Sequence, residues 1–381
     1  MCSNLNIGGF QKSLISLLNC FDYDKYDIDL LLLNPKGVFT KYIDNRVNIL
    51  PPIIDPEYYD NGAKAVWIMI KKKKLFKALI RFISCLLWVI DKSLGAAFMI
   101  KGIPELKEQY DVAIDYNGQH LLYYLVDKVN AEKRISYFHS DYKKWNYYQR
   151  NDKKYYNRVD AIVTVSDECV ASMKEIFPEC ANKIWKIENI ISANTVVVDK
   201  NCKRFDDKFF GVRIITVGRV CMDKGIDFAV EACRILSQKG YLFKWYWVGP
   251  LQDGLEYLDN IKKYSLEDFF ILLGPTDNPY GYMQDADILA QPSRYEGKSV
   301  TVEEAKVMHI PVVATCYSTV RNQIEDGKTG FIVDMNAESL AEGLEKLIVS
   351  PSLRQQISKT QSEMCLGNED EVQNLYRLIE M

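Results

Sequence analysis

Short apolar runs separated by helical stretches recur along the whole chain, and this alternation restricts the fold more than any other feature. Runs at residues 29–33, 111–115, 134–139, 161–165 and 183–187, and again at 213–217, 244–248, 269–273, 288–290, 312–314 and 331–333, each have the length of one strand. Helical periodicity fills the intervals, as at residues 10–18 and 169–176. Strands that are apolar throughout are covered on both faces, which calls for parallel sheets flanked by helices. At 381 residues the chain exceeds one ordinary core, so two doubly wound α/β domains are expected. Residues 192–210 are polar without a clean period and read as a linker. The expected division is an N-terminal domain over residues 1–195 and a C-terminal domain over 210–370.

Composition narrows the function. The chain is 48% apolar and 26% charged, as in soluble globular proteins. A net charge of -3 gives no footprint for nucleic acid. Ten scattered cysteines without a C-x-x-C pair, with only three histidines, argue against a zinc site or a disulfide framework and for a reducing cytoplasm. No secretory signal opens the chain, and the longest apolar run near a basic cluster, residues 85–90, is too short to span a bilayer.

The start of the chain departs from the pattern. Gly8-Gly9 followed by Phe10-Gln11-Lys12-Ser13-Leu14 reads as a glycine turn feeding a helix, and such a turn normally follows a buried strand. Residues 1–7 include Ser3, Asn4 and Asn6 and make a poor central strand. A missing first strand would leave ladder groups on two neighbours unpaired, so the natural chain is expected to begin upstream of Met1.

Chemistry concentrates in two segments of the second half. After the strand ending at Pro292 comes a polar loop, Glu296-Gly297-Lys298, and then a helix starting near Ser299. The backbone N–H groups of Lys298, Ser299 and Val300 are expected to be free donors at the helix start, where the macrodipole favours an anion. Glu296 and Glu304 bracket that seat, and carboxylates accept from sugar hydroxyls. A phosphate seat between two such acceptors suits a nucleotide-sugar. Glu303 is expected about 100° around the helix from Glu304, hence solvated. In the other segment, Gly218-Arg219 follows a strand ending at Val217, and Lys224 opens the next helix, so both cations can lie over the strand end. The plainer alternatives are surface cations at a turn, and glutamates that cap a helix or face solvent.

The order Gly8-Gly9, then Gly218-Arg219 with Lys224, then Glu296-x7-Glu304 resembles the retaining GT-B glycosyltransferases of family 4, from Asn6 to about Ile348. The resemblance implies two Rossmann-like domains facing a cleft, with residues 371–381 forming a last helix that packs back on the first domain. It implies that Arg219 and Lys224 hold the donor diphosphate, Glu304 the ribose and Glu296 the transferred sugar. Gly8, Gly9, Gly218, Pro292, Lys298, Ser299 and Val300 complete the donor seat. His139, at the end of a strand, is implied to line the reacting centre; a histidine merely hydrogen-bonded at a strand end is the alternative. The implied reaction moves a hexose or N-acetylhexosamine, most simply from a UDP-sugar, to a hydroxyl of a growing and lipid-linked glycan. It proceeds with retention by front-side attack, the leaving phosphate taking the acceptor proton. A phosphorylase or hydrolase on the same fold, or an inactive sugar-nucleotide-binding scaffold, is the competing reading. A nicotinamide dehydrogenase is disfavoured, because no G-x-G-x-x-G follows a strand.

Neither a cofactor nor a metal is expected. The two Asp-x-Asp matches, Asp27/Asp29 and Asp285/Asp287, precede strands, on the wrong side of a sheet for a metal bridging a diphosphate. His309 stands where the family often has a helix-ending glycine, and His120 reads as a helix-start residue; both are taken as structural. The aromatic residues around Tyr142, Trp145, Tyr147, Tyr148, Tyr155 and Tyr156 fit either sugar stacking or helix packing. From Lys71 to Arg81, with Lys72, Lys73, Lys74 and Lys77, cations mix with large apolar residues and no acid. This composition suits the anionic inner surface of a cell membrane, although a basic helix over an ordinary apolar face is the commoner case.

Overall fold

In the computed structural model the chain divides into two units. One comprises Met1–Asn6, Phe10–Asn189 and Asp370–Met381, and the other is chiefly Ile190–Glu369. The structure describes residues 1–6, 8–35, 37–60, 62–144, 146–192, 196, 202–253, 255–364 and 367–381. Trp145 and part of the stretch read as a linker (193–195 and 197–201) lie outside these residues.

The first unit carries β1 (Asp29–Leu30), β2 (Asn48–Ile49), β3 (Gln109–Asp115), β4 (Asn130–Phe138), β5 (Ala161–Thr164) and β6 (Ile184–Lys186). Strands β3-β4-β5-β6 form a parallel sheet in that order, and β1 and β2 a parallel pair. Ala161, Ile162, Val163 and Thr164 are all buried, as the unbroken apolar run demands. The β2 strand has both residues exposed, so no apolar run marks it. Residues 1–3 lie between β3 and the segment after β1. Cys2 N–H donates to Leu31 O (3.0 Å) and Leu33 N–H to Cys2 O (3.2 Å). On the other side the Met1 amino group donates to Ile114 O (2.6 Å) and Tyr116 N–H to Met1 O (3.0 Å). The ladder groups expected to be unpaired are therefore bonded here, because even a three-residue extended stretch reaches the neighbours on both sides.

The helices of this unit are α1 (Gly9–Asn19), α2 (Gly62–Lys71), α3 (Leu75–Ile90), α4 (Lys92–Ile100), α5 (His120–Lys128), α6 (Gln149–Tyr156) and α7 (Asp167–Ile176). Tyr142, Tyr148 and Tyr156 are buried in the core, which favours packing over sugar stacking for these rings.

The second unit carries β7 (Val212–Val217), α8 (Ile226–Gln238), β8 (Phe243–Val248), α9 (Leu255–Lys263), β9 (Phe270–Gly274), α10 (Tyr280–Gln284), β10 (Ile288–Gln291), α11 (Val300–Val307), β11 (Val312–Thr315), β12 (Gly330–Val333), α12 (Ala337–Val349) and α13 (Pro351–Met364). Its sheet is parallel throughout, in the order β12-β11-β10-β7-β8-β9. Trp245, Trp247, Ile214 and Leu344 anchor one covered face, and Leu289, Val302 and Ala305 the other. The last helix, α14 (Val372–Glu380), packs within the first unit. The Tyr376 ring stacks on Tyr26 (5.0 Å) and meets the edge of Phe21 (5.6 Å). Lys133 Nζ donates to the carbonyls of Leu378 (3.2 Å) and Ile379 (2.9 Å), the groups a helix end leaves unpaired.

Asp29 accepts from Asn48 Nδ2 (2.7 Å) and Tyr110 O–H (2.9 Å), and Asp287 from Arg213 N–H (2.8 Å), so both serve as polar residues where strands begin. His309 ends its helix at φ +59°, the left-handed geometry that usually selects glycine. Among the described residues no helix is long and apolar enough to cross a membrane.

Candidate functional site

The strand order of the second unit reverses between β7 and β10, with β8 and β9 on one side and β11 and β12 on the other. Loops leaving the carboxyl ends of two strands at such a point diverge to opposite faces and open a crevice for a ligand. The segments singled out from sequence, 218–225 and 292–300, are the loops that follow β7 and β10.

Close backbone contacts shape the first loop. Gly218 N–H donates to Val248 O (2.9 Å), and Trp247 Nε1–H to Gly218 O (2.9 Å). A short 3-10 turn, Met222–Lys224, then leads to Gly225 and α8, so Lys224 precedes the helix rather than opening it. Gly225 has φ +73°, and a Cβ there would lie 2.0 Å from the carbonyl oxygen of Pro292. Only glycine lets the two loops touch at this point.

Arg294 fastens them further. Its N–H donates to Asp223 O (2.9 Å), and Nη1 to Met222 O (2.6 Å). The guanidinium also makes a two-pronged contact with the Asp227 carboxylate (2.7 and 2.5 Å). The clamp brings Lys224 to Glu296, Nζ to Oε1 at 2.5 Å. Gln291 Nε2 (2.9 Å) and Ser293 Oγ (2.7 Å) donate to the same Oε1, while Thr319 Oγ1 donates to the Glu296 carbonyl (3.1 Å). All three donors converge on one carboxylate oxygen. Oε2 has no protein partner among the described residues and keeps its accepting capacity. Arg219, exposed, donates instead to Gln252 Oε1, so the two cations have separate partners.

Helix α11 starts at Val300 with Ser299 as its cap, the Ser299 Oγ accepting from Val302 N–H (3.4 Å). The Ser299 N–H is not the free donor expected from sequence. It donates to Gln323 Oε1 (2.9 Å), because Gln323 reaches back from 24 residues on and also donates to Ser299 O (2.8 Å). The same amide donates to Glu303 (3.0 Å), which further pairs with Lys306 (3.0 Å). Glu303 is therefore held by protein groups, contrary to the solvated position expected. Glu304 is 1% exposed and accepts from Tyr280 O–H (2.7 Å). Pro292, Lys298 and Val300 are buried beside these residues. Gly8 stands ahead of α1, and Gly9 is its first residue.

The sequence reading missed Arg294, Asp227, Gln291, Ser293, Gln323 and Tyr280. Gln291 and Ser293 sit within five residues of Glu296, and their polarity at the end of an apolar strand was the available signal. Gln323 and Tyr280 carry no local mark.

In the first unit His139 follows β4. Its Nε2 lies 2.9 Å from Tyr116 O, and its Nδ1 2.9 Å from the side-chain amide of Asn189. The ring stacks against Tyr137 (5.5 Å) and Phe10 (5.9 Å). Desolvation pushes its pKa down to about 4, although the residue keeps part of its surface exposed. At neutral pH the imidazole is thus uncharged.

Residues 208–364 match the family described as glycosyl transferases group 1. The second unit is a group 1 glycosyl transferase domain. The chain is similar to the putative colanic acid biosynthesis glycosyltransferase WcaL of Salmonella typhimurium, 35% identical over 144 residues, covering 35% of this chain and 35% of WcaL. The capsular polysaccharide biosynthesis glycosyltransferase CapM of Staphylococcus aureus is 29% identical over 170 residues, 43% of either chain. The matched part thus spans less than half the length of these curated relatives. Anabaena HepE, solved in complex with UDP, superposes with a TM-score of 0.67 at 14% identity, over 100% of this chain and 98% of its own. With its two doubly wound units, the chain has the GT-B fold.

Proposed function

We propose that the protein is a retaining glycosyltransferase that moves a hexose or N-acetylhexosamine from a nucleotide-sugar to a hydroxyl of a growing surface glycan. The observation that carries this reading is the contact of Lys224 with Glu296 at the switch point between β7 and β10, with Glu296 Oε2 left open. A cation and an acceptor side by side match the two ends of the reacting bond. The ammonium faces the phosphate that gains charge, and the carboxylate the hydroxyls of the sugar. Relatives named for colanic acid and capsule biosynthesis support the substrate class, and the UDP bound to HepE supports a UDP-sugar donor.

In this reading the bond from the anomeric carbon to the β-phosphate oxygen breaks, and its electron pair leaves with the nucleoside diphosphate. The acceptor oxygen bonds to the anomeric carbon on the same face, and its proton passes to the departing phosphate oxygen. Lys224 and Arg219 stabilise the charge on that phosphate. Each is already satisfied by a neutral or anionic side chain, so a diphosphate exchanges with Gln252 and Glu296 for them. Glu304, held by Tyr280, is oriented for the ribose hydroxyls. His139, uncharged at neutral pH, offers a hydrogen-bonded aromatic wall rather than a proton.

A thermal-shift panel of nucleotide-sugars tests the donor site, since a ligand bound only by the folded state raises Tm by mass action. At least one UDP-sugar is expected to raise Tm, and Arg219→Ala to abolish the shift. No shift with any nucleotide-sugar, or a full shift in the variant, would remove the diphosphate seat from this place. Anomeric proton couplings of the first-formed product, read by NMR, test retention.

A further inference from the structure

Helix α3 carries most of its large apolar residues outward. Leu75, Leu79, Phe82, Leu86 and Val89 recur every four and three residues, forming one stripe along the helix, and all are exposed, Val89 by 87%. Phe76 (72%) and Ile90 (76%) widen the stripe at its two ends. The inward residues are Ala78, Ile80, Arg81 and Ser84, so one large apolar side chain faces the core. The two terminal nitrogens of the Arg81 guanidinium donate to Ser84 Oγ (3.0 Å) and to Asp60 O (3.1 Å). An ordinary surface helix has the opposite arrangement, its large apolar residues on the core and its small and polar ones in water. Single exposed apolar residues are common, whereas a continuous row over four turns marks an interaction site.

The surroundings of the stripe identify its partner. No aspartate or glutamate occurs from residue 61 to residue 90, while residues 71–74 are four lysines at the turn between α2 and α3. Lys72 and Lys74 pair with Asp55, and Lys72 also with Glu57. Lys71 lies over the ring of Trp67 (3.5 Å), itself 56% exposed. Lys73 and Lys77 have no acidic partner among the described residues. Large apolar side chains bordered by uncompensated cations and an exposed tryptophan are complementary to an anionic phospholipid surface, with acyl chains for the stripe and phosphates for the lysines. With 16 residues α3 is about 24 Å long, short of the roughly 30 Å of a hydrocarbon core.

We propose that α3, with the lysine turn before it, docks the protein on an anionic bilayer, lying in the plane of the interface with the stripe from Leu75 to Val89 immersed. The surface keeps the lysines at headgroup level. This contact is independent of which sugar is transferred, and it places a soluble donor site within reach of an acceptor embedded in lipid.

Flotation of the full chain on phosphatidylcholine vesicles, with and without phosphatidylglycerol, tests the docking. Wild type is expected to float with the phosphatidylglycerol vesicles. Leu79→Ser/Phe82→Ser/Leu86→Ser is expected to weaken vesicle affinity by more than about a hundredfold, since each buried apolar side chain is worth a substantial transfer energy. Lys73→Glu/Lys77→Glu is expected to weaken it by at least about tenfold on anionic vesicles and to remove the preference for them. Quenching of wild-type tryptophan fluorescence by brominated lipid provides a reading that needs no variant. Failure of wild type to float, equal flotation of the triple variant, or a wild-type dimer that this variant splits without any binding to lipid would each overturn the proposal.

Discussion

In the second unit Lys224 and Glu296 meet at 2.5 Å, and Arg294 and Asp227 clasp each other close by. In the first unit the buried carboxylate of Asp152 has no cation on it among the described residues and accepts instead from the hydroxyls of Tyr123 and Tyr142, each at 2.5 Å. His139 is likewise surrounded by aromatic rings and neutral oxygens. At the Lys224 site the charges are paired and partly exposed. Asp152 and His139 are desolvated and shifted towards neutrality. The proposed diphosphate seat calls for the first arrangement, because an ion pair can trade one partner for another without stranding a charge. The second arrangement holds a core together and tolerates no such exchange.

The largest expected effect strikes the exchangeable side. Lys224→Ala should lower kcat for sugar transfer by about 100–1000-fold, the typical loss of one preorganised donor. Thermal stability should stay near wild type, because Gln291 and Ser293 still hold Glu296. Steady-state kinetics beside a melting curve separates these, and an unimpaired kcat would end the assignment of the paired charges to catalysis. Next, Gly225→Ala places a Cβ 2.0 Å from Pro292 O at a left-handed position, and urea titration should show a loss of about 2 kcal/mol or more. Arg294→Ala leaves Asp227 unpaired at the base of the same loops. It should cost about 2 kcal/mol by the same titration, with a raised KM for donor as the loops part.

The smallest effect sharpens the contrast through pH. Burial raises the pKa of Asp152 from an ordinary 3.8 to about 7, so the folded chain holds a proton that the unfolded chain releases. The stability it contributes is complete below pH 3.8 and declines as pH rises towards 7. Asp152→Asn cannot ionise, and its Tm should gain on wild type across that window. His139 acts in the opposite sense: with its pKa depressed to about 4 from 6.5, it withdraws stability as pH falls between those values. A Tm difference between wild type and Asp152→Asn that is flat with pH would show that the carboxylate is not isolated among the tyrosines.

The fold was legible because the sheets are parallel and covered. Ile288, Leu289 and Ala290 are apolar in succession only because both their faces are buried, and the strand is therefore visible without knowledge of its neighbours. Strand β2, with Asn48 and Ile49 both exposed, offers no such mark. At the site, the residues leaving the strand ends were legible from local order, as with Gly218, Lys224 and Glu296. Those that arrive from afar were not. Glu303 was misplaced in solvent because helical geometry alone turns it away from Glu304, and nothing in its surroundings announces Gln323, 20 residues on. Helix α3 shows a further limit. Its mixture of cations and large apolar residues was plain, yet composition does not say which face turns inward, and the buried side holds Arg81 and Ser84 beside Ala78 and Ile80.

Helix α14 has a consequence for synthesis. Residues 370–381 belong to the first unit, yet they leave the ribosome only after the entire transferase domain has been made. The surface formed by Phe21, Tyr26 and Lys133 therefore waits, uncovered, while some 180 intervening residues emerge at about 5–20 per second. The nascent chain carries an open aromatic patch for that interval.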